Sequence, residues 1–451
     1  MRRLSERLGR VAPEAATFVL VAAVYWIHFA INGYGRFYHD AAEYWDLGRR
    51  FGSDGFSLLA YDDSSRGYAL PLLNRGLQWI AEGIRLNDVT IVAIAGGLLA
   101  ATLGVVVLPR LAGMLFSEAR VSWGRVLGLN GLLFLFWRDH LGFPLSDFPA
   151  LLAACVGVIG LLRGTVPGFL LAGIVFGLAA NMRPAYLPAV LVVLVVAALP
   201  LLRRGALVGG ACAAAFAAGI ATVAAPQIAM NREHHETWSP APADARDIAF
   251  VQLNGGLLAQ RYETYVGPPD RYPRTKVFYR DPATGGLLDE QIEGYGEYAR
   301  LAVSHPHRLA ASYVLHAFNG LHVLYPTPYV RDLENTSRGL SVLQYTILFL
   351  AVLRLALPDA RRALGRVRWL GVLVLVAPAI TALPGAMEPR FFLPLHVLAY
   401  MLVCFGPRAR CSVLGRGVLR QIAIVTAYAA FLVLWIVLTE ATAAQIEHPL
   451  S

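Results

Sequence analysis

The sequence predicts an all-α membrane protein, and its composition and the length of its apolar runs support that prediction. Hydrophobic residues make up 57% of the 451 residues, and the mean hydropathy of +0.53 exceeds that of soluble globular chains. Only 15% of the residues are charged. Apolar runs of about 18–20 residues recur along the chain, and each is long enough to cross roughly 30 Å of hydrocarbon.

About 11 membrane spans are predicted, within a range of roughly 10–13. The first span follows four arginines and lacks a small-residue cleavage site, so it is interpreted as a retained span rather than a signal peptide. The predicted spans cover residues 15–33, 89–108, 123–137, 148–162, 166–181, 184–202, 205–228, 338–357, 369–385, 391–406 and 418–438.

Arginines between the spans predict the orientation. The net charge is +9 and Lys276 is the only lysine, so the basic balance reflects topology rather than nucleic-acid binding. Basic residues collect on the cytoplasmic side of a membrane. A cytoplasmic N-terminus places every short arginine-rich link inside, namely residues 109–122, 163–165, 203–204, 358–368 and 407–417.

The long outer links define the domain organisation. An N-terminal membrane module covers residues 1–228 and includes a first outer loop, 34–88. A turn-rich, strand-poor extracytoplasmic domain follows at 229–337, and a C-terminal membrane module covers 338–451. Residues 308–325 are predicted as an interfacial or re-entrant helix, because counting them as a span would move the arginines of the following inner link outside.

Ionisable residues at the predicted outer ends of the spans are the candidate site. Such residues are costly at membrane depth and usually sit where water, a partner or a substrate meets them. Asp40 and Glu43 are one helical turn apart, which places both carboxylates on the same side. The orientation that puts these residues on one face comes from arginines in other links. The set comprises Asp40, Glu43, Asp147, Arg183, Glu388 and Arg390.

Each of these residues also has a purely structural interpretation. Asp40 and Asp147 would serve as helix N-caps, and Arg183 and Arg390 would be snorkelling cations beside prolines. The His39 side chain is interpreted as interfacial. Three further residues, Asp46, Arg49 and Arg50, are interpreted as the solvated face of an amphipathic helix.

The functional interpretation is a site for an anionic amphiphile. A phosphate would meet arginine, the apolar tail would stay in the bilayer, and a carboxylate would deprotonate an incoming hydroxyl. An arginine, an apolar environment and a carboxylate together fit sugar transfer from a polyprenyl-phosphate sugar, in which arginine neutralises the charge that develops on the leaving phosphate.

Five segments in order resemble the membrane glycosyltransferases of the GT-C fold, nearest to the dolichyl-phosphate-mannose–protein mannosyltransferase group (glycosyltransferase family 39) and its bacterial relatives. The resemblance covers most of 15–230 and 338–405. One position departs from the family pattern, since Ala41 stands where a second acid usually follows Asp40. The matching segments are HDAAEYWDLGRRF after the first span, RGYALPLL at 66–73, SDFPALLAA, RPAYLPAVLVVL and EPRFFLPLHVLAY.

This resemblance implies an inverting transferase in the plasma or inner membrane, with its site facing outward and no metal or other cofactor. Asp40 would be the base, Asp147 a supporting acid and Glu43 a further catalytic candidate. The partners would be a polyprenyl-phosphate sugar, the bilayer and a glycan, lipid or protein acceptor, with no nucleic acid. The residues assigned to the lipid phosphate and the sugar are Arg183, Arg390, Glu388, Arg66 and His39.

Three other functions fit parts of the sequence. A polysaccharide polymerase or ligase acting on polyprenyl pyrophosphate would also have many spans and a large outer loop. A transporter would place its ionisable residues on broken helices near the midplane, often in two related halves. If the chain is a scaffold subunit without catalytic activity, the proximity of Asp40 and Glu43 has no functional meaning.

Overall fold

A computed structural model describes residues 2–52, 55–116, 121–192, 206–269, 272, 274–287, 291–356, 358–406 and 418–446. The described chain is mainly helical, with one two-stranded sheet. The all-α class predicted from the apolar runs is therefore confirmed. Three predicted segments lie outside the described residues, namely the second half of the span 184–202 and the inner links 203–204 and 407–417.

Helices occupy the apolar runs that the sequence contains. In the first half of the chain they are α1 (Arg2–Asn32), α2 (His39–Leu47), α3 (Ala69–Ile84), α4 (Asp88–Ala101), α5 (Leu108–Leu115), α6 (Trp123–Trp137), α7 (Asp147–Arg163), α8 (Val166–Met182) and α9 (Ala206–His235). In the second half they are α10 (Ala245–Leu258), α11 (Tyr295–Ser304), α12 (Pro306–Leu321), α13 (Arg338–Ala356), α14 (Pro358–Ala382), α15 (Leu393–Phe405) and α16 (Val418–Ala443).

Five helical segments of the described chain are long and apolar enough to cross a membrane, so the chain is a membrane protein. Only 6% of the apolar window in α16 and 17% of that in α1 are buried within the protein, which leaves most of their side chains facing outward, as lipid contact requires. The total of eleven spans and the cytoplasmic N-terminus stay predictions. The five segments are Pro13–Asn32, Asp88–Leu115, Leu207–His235, Arg338–Ala356 and Gln421–Ala443.

The chain divides into two compact units. The first comprises residues 1–243, 364–375 and 404–406, and the second comprises 244–363, 376–403 and 407–451. In the first unit α8 packs against α9 through Gly173 and Gly219. A Cβ on either glycine would collide with the backbone of the opposite helix. Small residues therefore permit the close helix approach that is common in membrane proteins.

The hydrophobic segment Asp88–Leu115 contains a wide turn of π-helix, Thr102–Val107, between α4 and α5. Such turns leave a backbone carbonyl without its regular helical partner. The side chain of Asn130, on α6, donates to the carbonyls of Gly104 at 3.1 Å and Val126 at 2.8 Å. The wide turn is thus completed by a neighbouring helix.

The segment 229–337, which is predicted to form an extracytoplasmic loop domain, contains the one sheet of the described chain. Strand β1 (Ala259–Thr264) pairs antiparallel with β2 (Lys276–Arg280). Every residue of β1 is buried, and Tyr262 N donates to the carbonyl of Met387 at 3.2 Å. A helix, α12, forms where the interfacial helix 308–325 is predicted; its placement at the interface stays a prediction.

Candidate functional site

Three charged residues of the first loop meet in the first unit. Asp40 and Glu43 lie one turn apart on α2, which begins at His39 in the left-handed region (φ +41°). Arg66 donates to Glu43 from Nε at 3.2 Å and from a terminal nitrogen at 3.4 Å. The Asp40 carboxylate is 3.8 Å from Arg66. Glu43 is therefore the closer ionic partner of Arg66.

The loop before Arg66 fixes this arginine. Asp63 Oδ1 accepts hydrogen bonds from the Ser65 and Arg66 backbone N–H groups, at 2.9 and 2.7 Å. The guanidinium lies over the Tyr44 ring, 5.1 Å from its centroid. Burial lowers the pKa of Arg66, but Tyr44, Glu43 and Asp40 together raise it above its ordinary value. Arg66 therefore remains a cation at any physiological pH.

Asp147 and Arg183 form a second, more buried ion pair in the same unit. Asp147 opens α7, where its charge favours the helix dipole. Arg183 follows the last residue of α8 in an extended conformation. The side chains are 2% and 15% exposed, respectively. Both residues are predicted at helix ends with separate roles, whereas the structure pairs them.

Asn181, near the end of α8, contacts the loop that carries Arg66. Gly67 lies so close to Asn181 that a Cβ would collide with its carbonyl oxygen and its side chain. The Asn181 Oδ1 accepts a hydrogen bond from Ala69 N at 2.8 Å. Because Gly67 follows Arg66 and Asn181 precedes Arg183 by two residues, this contact brings together the chain segments that carry the two arginines.

A row of three buried amides, none of which is among the residues predicted for the site, extends this contact. Asn181 Nδ2 donates to Gln227 Oε1 at 2.9 Å, and Gln227 Nε2 donates to Asn231 Oδ1 at 3.0 Å. Asn231 Nδ2 donates in turn to the carbonyls of Ser239 and Ala241. The spacing of Gln227 and Asn231, four residues apart in an apolar helix, was a signal for a polar face.

Replacing Gln227 with leucine should destabilise the protein, because the side-chain amides of Asn181 and Asn231 would each lose a hydrogen bond while staying buried. Each buried polar group left unsatisfied costs about 1–3 kcal/mol. Thermal unfolding in detergent measures the loss. Thr222→Val, on the exposed side of the same helix, is the control, since Thr222 donates to the Ala218 carbonyl of its own helix. Equal unfolding temperatures for both variants would contradict the role of the amides.

Glu388 and Arg390 form an ion pair in the second unit, just before α15. Arg261, on β1, is fully buried and donates to Glu263 from Nε at 2.7 Å and to the carbonyl of His322 at 3.0 Å. Burial raises the pKa of Glu263, Arg261 opposes that rise and Glu388 adds to it. Two arginines and two glutamates therefore share one buried region of this unit.

Neither Arg261 nor Glu263 is among the residues predicted for the site. They stand two apart in AQRYET, and residues two apart in a strand share one face. That spacing was the available signal, but the segment lay in a loop domain with no strand predicted. In the described part of the chain, no group of three or more His, Cys, Asp or Glu side chains could hold a metal ion.

Its helices and charged groups define the chain as an α-helical membrane protein whose ionisable side chains gather at helix ends. In the first unit these are Asp40, Glu43, Arg66 and the Asp147–Arg183 pair. Comparisons with protein-family models, curated proteins and solved structures found no match to this chain.

Proposed function

We propose that this chain is an integral-membrane glycosyltransferase of the GT-C kind, which moves a sugar from a polyprenyl-phosphate donor to an acceptor outside the cytoplasm. It would lie in the plasma or inner membrane, with its site facing outward. The observation that carries the proposal is the arrangement in the first unit, where the Asp40 carboxylate lies 3.8 Å from Arg66, and Asn181, two residues before Arg183, accepts a hydrogen bond from Ala69 of the same loop.

Asp40 fits the role of general base better than Glu43. Its side chain is 35% exposed and stands 3.8 Å from Arg66, whereas Glu43 is engaged by two nitrogens of that guanidinium. Asp40 would take the proton of the acceptor hydroxyl as its oxygen attacks the anomeric carbon. The bond from that carbon to the phosphate oxygen breaks, and polyprenyl phosphate leaves with the electron pair. Attack opposite the leaving group inverts the anomeric centre.

Arg183 would stabilise the charge that develops on the leaving phosphate. A guanidinium carries five N–H donors, so an arginine that pairs with a carboxylate keeps donors for a phosphate oxygen. The three carboxylates of Asp40, Glu43 and Asp147 outnumber the two guanidinium groups of Arg66 and Arg183. A phosphate would therefore have to share each guanidinium group with a carboxylate. The carboxylates hold the guanidinium groups in place before the substrate arrives, which reduces the cost of ordering them.

For the second unit, the family resemblance implies that Arg390 and Glu388 are phosphate and sugar ligands, and this stays a prediction. The Arg390 side chain is 12% exposed and is oriented by its ion pair with Glu388. His39 is exposed at the start of α2, next to the proposed base, and is proposed to contact the substrate there.

A transfer assay with the purified protein tests the proposed function. The protein is incubated with radiolabelled polyprenyl-phosphate hexoses and with membranes from the source cell, and the label in the membrane glycans, lipids and proteins is counted. We expect label to appear from a polyprenyl-phosphate sugar and not from a nucleotide sugar. Absence of transfer from every polyprenyl-phosphate sugar, or transfer from the nucleotide sugar, would contradict the proposal.

A further inference from the structure

A pocket of about 260 Å³ lies beside the C-terminal end of α1, in the first unit. We call it the aromatic pocket, because four aromatic side chains line it together with one carboxylate. Its volume is below the range of roughly 300–1,000 Å³ that is usual for small-molecule sites, so it suits a small chemical group. The aromatic residues are Trp26, Phe29, Tyr34 and Phe143, and the carboxylate is that of Asp139.

Asp139 is the one charged residue among the described residues that line the aromatic pocket. His28 Nε2 donates to Asp139 Oδ1 at 2.6 Å, and Asn32 Nδ2 donates to His28 Nδ1 at 3.4 Å. A ring nitrogen that accepts a hydrogen bond carries no proton, so His28 is the neutral tautomer with its proton on Nε2. The hydrogen bond from His28 therefore orients the carboxylate without cancelling its charge.

The neighbouring cation faces elsewhere. Arg138 donates to the Leu135 carbonyl at 2.9 Å, and its guanidinium lies 5.9 Å from the centroid of the Phe134 ring. Arg138 does not line the pocket. The Asp139 side chain is 18% exposed, and its Oδ2 has no hydrogen-bond partner among the described residues. One carboxylate oxygen is thus left for a ligand.

The aromatic side chains are held by contacts with the rest of the unit. Trp26 Nε1 donates to the Ile94 carbonyl of α4 at 3.1 Å, and a Cβ on Gly97 would collide with the indole. The rings of Tyr34 and Phe143 lie 4.9 Å apart between centroids. Because the protein itself fixes these rings, little ordering is needed when a ligand binds.

This combination of groups selects for an organic cation. Aromatic rings and a carboxylate both attract positive charge, and quaternary ammonium groups are bound by such aromatic cages. A primary ammonium carries three N–H donors and would need several acceptors, but the polar side chains in the lining are few. They are Asp139, Thr90, Tyr34 and the already bonded Trp26. A trimethylammonium group has no N–H donor and leaves none unpaired.

The aromatic pocket borders the surface of α1 that faces lipid. On this part of α1, Ile27 is 60% exposed and Ile31 is 74% exposed, and Trp26 itself is 37% exposed. The helix ends at Asn32, close to the predicted outer end of the first span. Tryptophan and tyrosine are typical of the level of the lipid headgroups. A headgroup can therefore reach the pocket from the bilayer.

We propose that the aromatic pocket binds a trimethylammonium group, of the kind that a choline lipid carries. The rings surround the methyl groups, and Asp139 neutralises the charge. This site goes beyond the proposed function and does not depend on it. Its lining contains none of the residues proposed for sugar transfer, namely Asp40, Glu43, Arg66, Asp147, Arg183, His39, Glu388 and Arg390.

Titration calorimetry of the full-length protein in maltoside detergent tests the site. The probes are choline and 3,3-dimethylbutan-1-ol, an alcohol with nearly the shape of choline but no charge. We expect choline to bind, and the alcohol to bind at least about tenfold more weakly. Asp139→Asn keeps an acceptor for His28, and Trp26→Leu keeps an apolar side chain. Each should weaken choline binding about tenfold, equivalent to ~1.4 kcal/mol of binding free energy.

Trp79→Leu is the matched control for Trp26→Leu. Trp79 lies on the exposed apolar face of α3, is 45% exposed and does not line the pocket, so choline binding should stay unchanged. Thermal unfolding shows whether each variant is folded, and the comparison of choline with the alcohol needs no variant. The proposal is overturned if choline does not bind, if the alcohol binds as tightly, or if a folded Asp139→Asn or Trp26→Leu variant binds choline normally.

Nanodiscs distinguish a lipid headgroup from a soluble cation as the ligand. In phosphatidylcholine nanodiscs the headgroups compete, so added choline should bind at least about tenfold more weakly than in phosphatidylglycerol nanodiscs. Trp26→Leu is measured in both, because an anionic surface also attracts choline. Equal binding of choline in the two lipids would overturn the lipid as the ligand and assign the pocket to a soluble trimethylammonium compound. No sugar transfer is measured, so the result is independent of the proposed function.

Discussion

Asp40→Asn is expected to reduce sugar transfer about 10²–10⁴-fold, which is the usual contribution of a positioned general base. Asparagine has nearly the same shape and can still meet Arg66, but it cannot accept the proton of the acceptor hydroxyl. Stability should change little, because Glu43 remains the closer partner of Arg66. The measurement is the initial rate of transfer from a labelled polyprenyl-phosphate sugar, beside thermal unfolding of the same preparation.

Two variants on the same helix serve as comparisons. Asp46→Asn removes an exposed carboxylate of α2 and should leave the transfer rate unchanged. Glu43→Gln keeps a hydrogen-bond acceptor for Arg66 and should cost less than about tenfold, since it removes one exposed ion pair worth roughly 0–1 kcal/mol. A normal rate of sugar transfer by the Asp40→Asn variant would show that Asp40 is not the base. A larger loss of transfer rate for Glu43→Gln than for Asp40→Asn would assign that role to Glu43.

Breaking the Asp147–Arg183 pair is expected to give the largest loss of stability. Removing one partner of a buried ion pair costs about 3–5 kcal/mol, because the other charge stays buried without compensation. Arg183→Met should be the worse single change, since it strands a carboxylate that is only 2% exposed. The double variant Asp147→Leu, Arg183→Met should recover most of the loss, because no charge is then left buried.

The rate of sugar transfer distinguishes the structural role of the Asp147–Arg183 pair from the role of Arg183 in the reaction. We expect the double variant to fold and to remain inactive, since the guanidinium that faces the phosphate is gone. The measurements are thermal unfolding and transfer rate for both single variants and the double variant. Asp62→Asn, in the exposed pair with Arg50, should change stability by less than ~1 kcal/mol. An active double variant would show that Arg183 has no part in the reaction.

Helix positions were predictable to within a few residues where charged or turn-forming residues bound an apolar run. The predicted span 123–137 coincides with α6, and 148–162 differs from α7 by one residue at each end. The positions of these helices can be predicted from the segments alone, because length and hydropathy are local properties of the sequence. Whether each helix crosses the bilayer depends on its neighbours and stays a prediction.

The contacts that build the candidate site were less accessible to prediction. Asn181 and Gln227 are 46 residues apart, and Tyr68 and Gln227 are 159 apart, so their pairing depends on how α8, α9 and the first loop pack. The pairing of Glu43 with Arg66 across 23 residues of loop has the same origin. Helix α3 was not predicted, because its apolar face is exposed and its amides are buried, the reverse of a soluble amphipathic helix.

The wide turn at Thr102–Val107 has a consequence for how the chain enters the membrane. During synthesis this segment emerges before α6, so the amide of Asn130 is absent when the segment first meets lipid. A carbonyl without a partner in hydrocarbon costs several kcal/mol, whereas a regular α-helix leaves none. We therefore expect this segment to insert as an ordinary helix and to widen only when α6 docks, so that this irregularity is acquired during assembly.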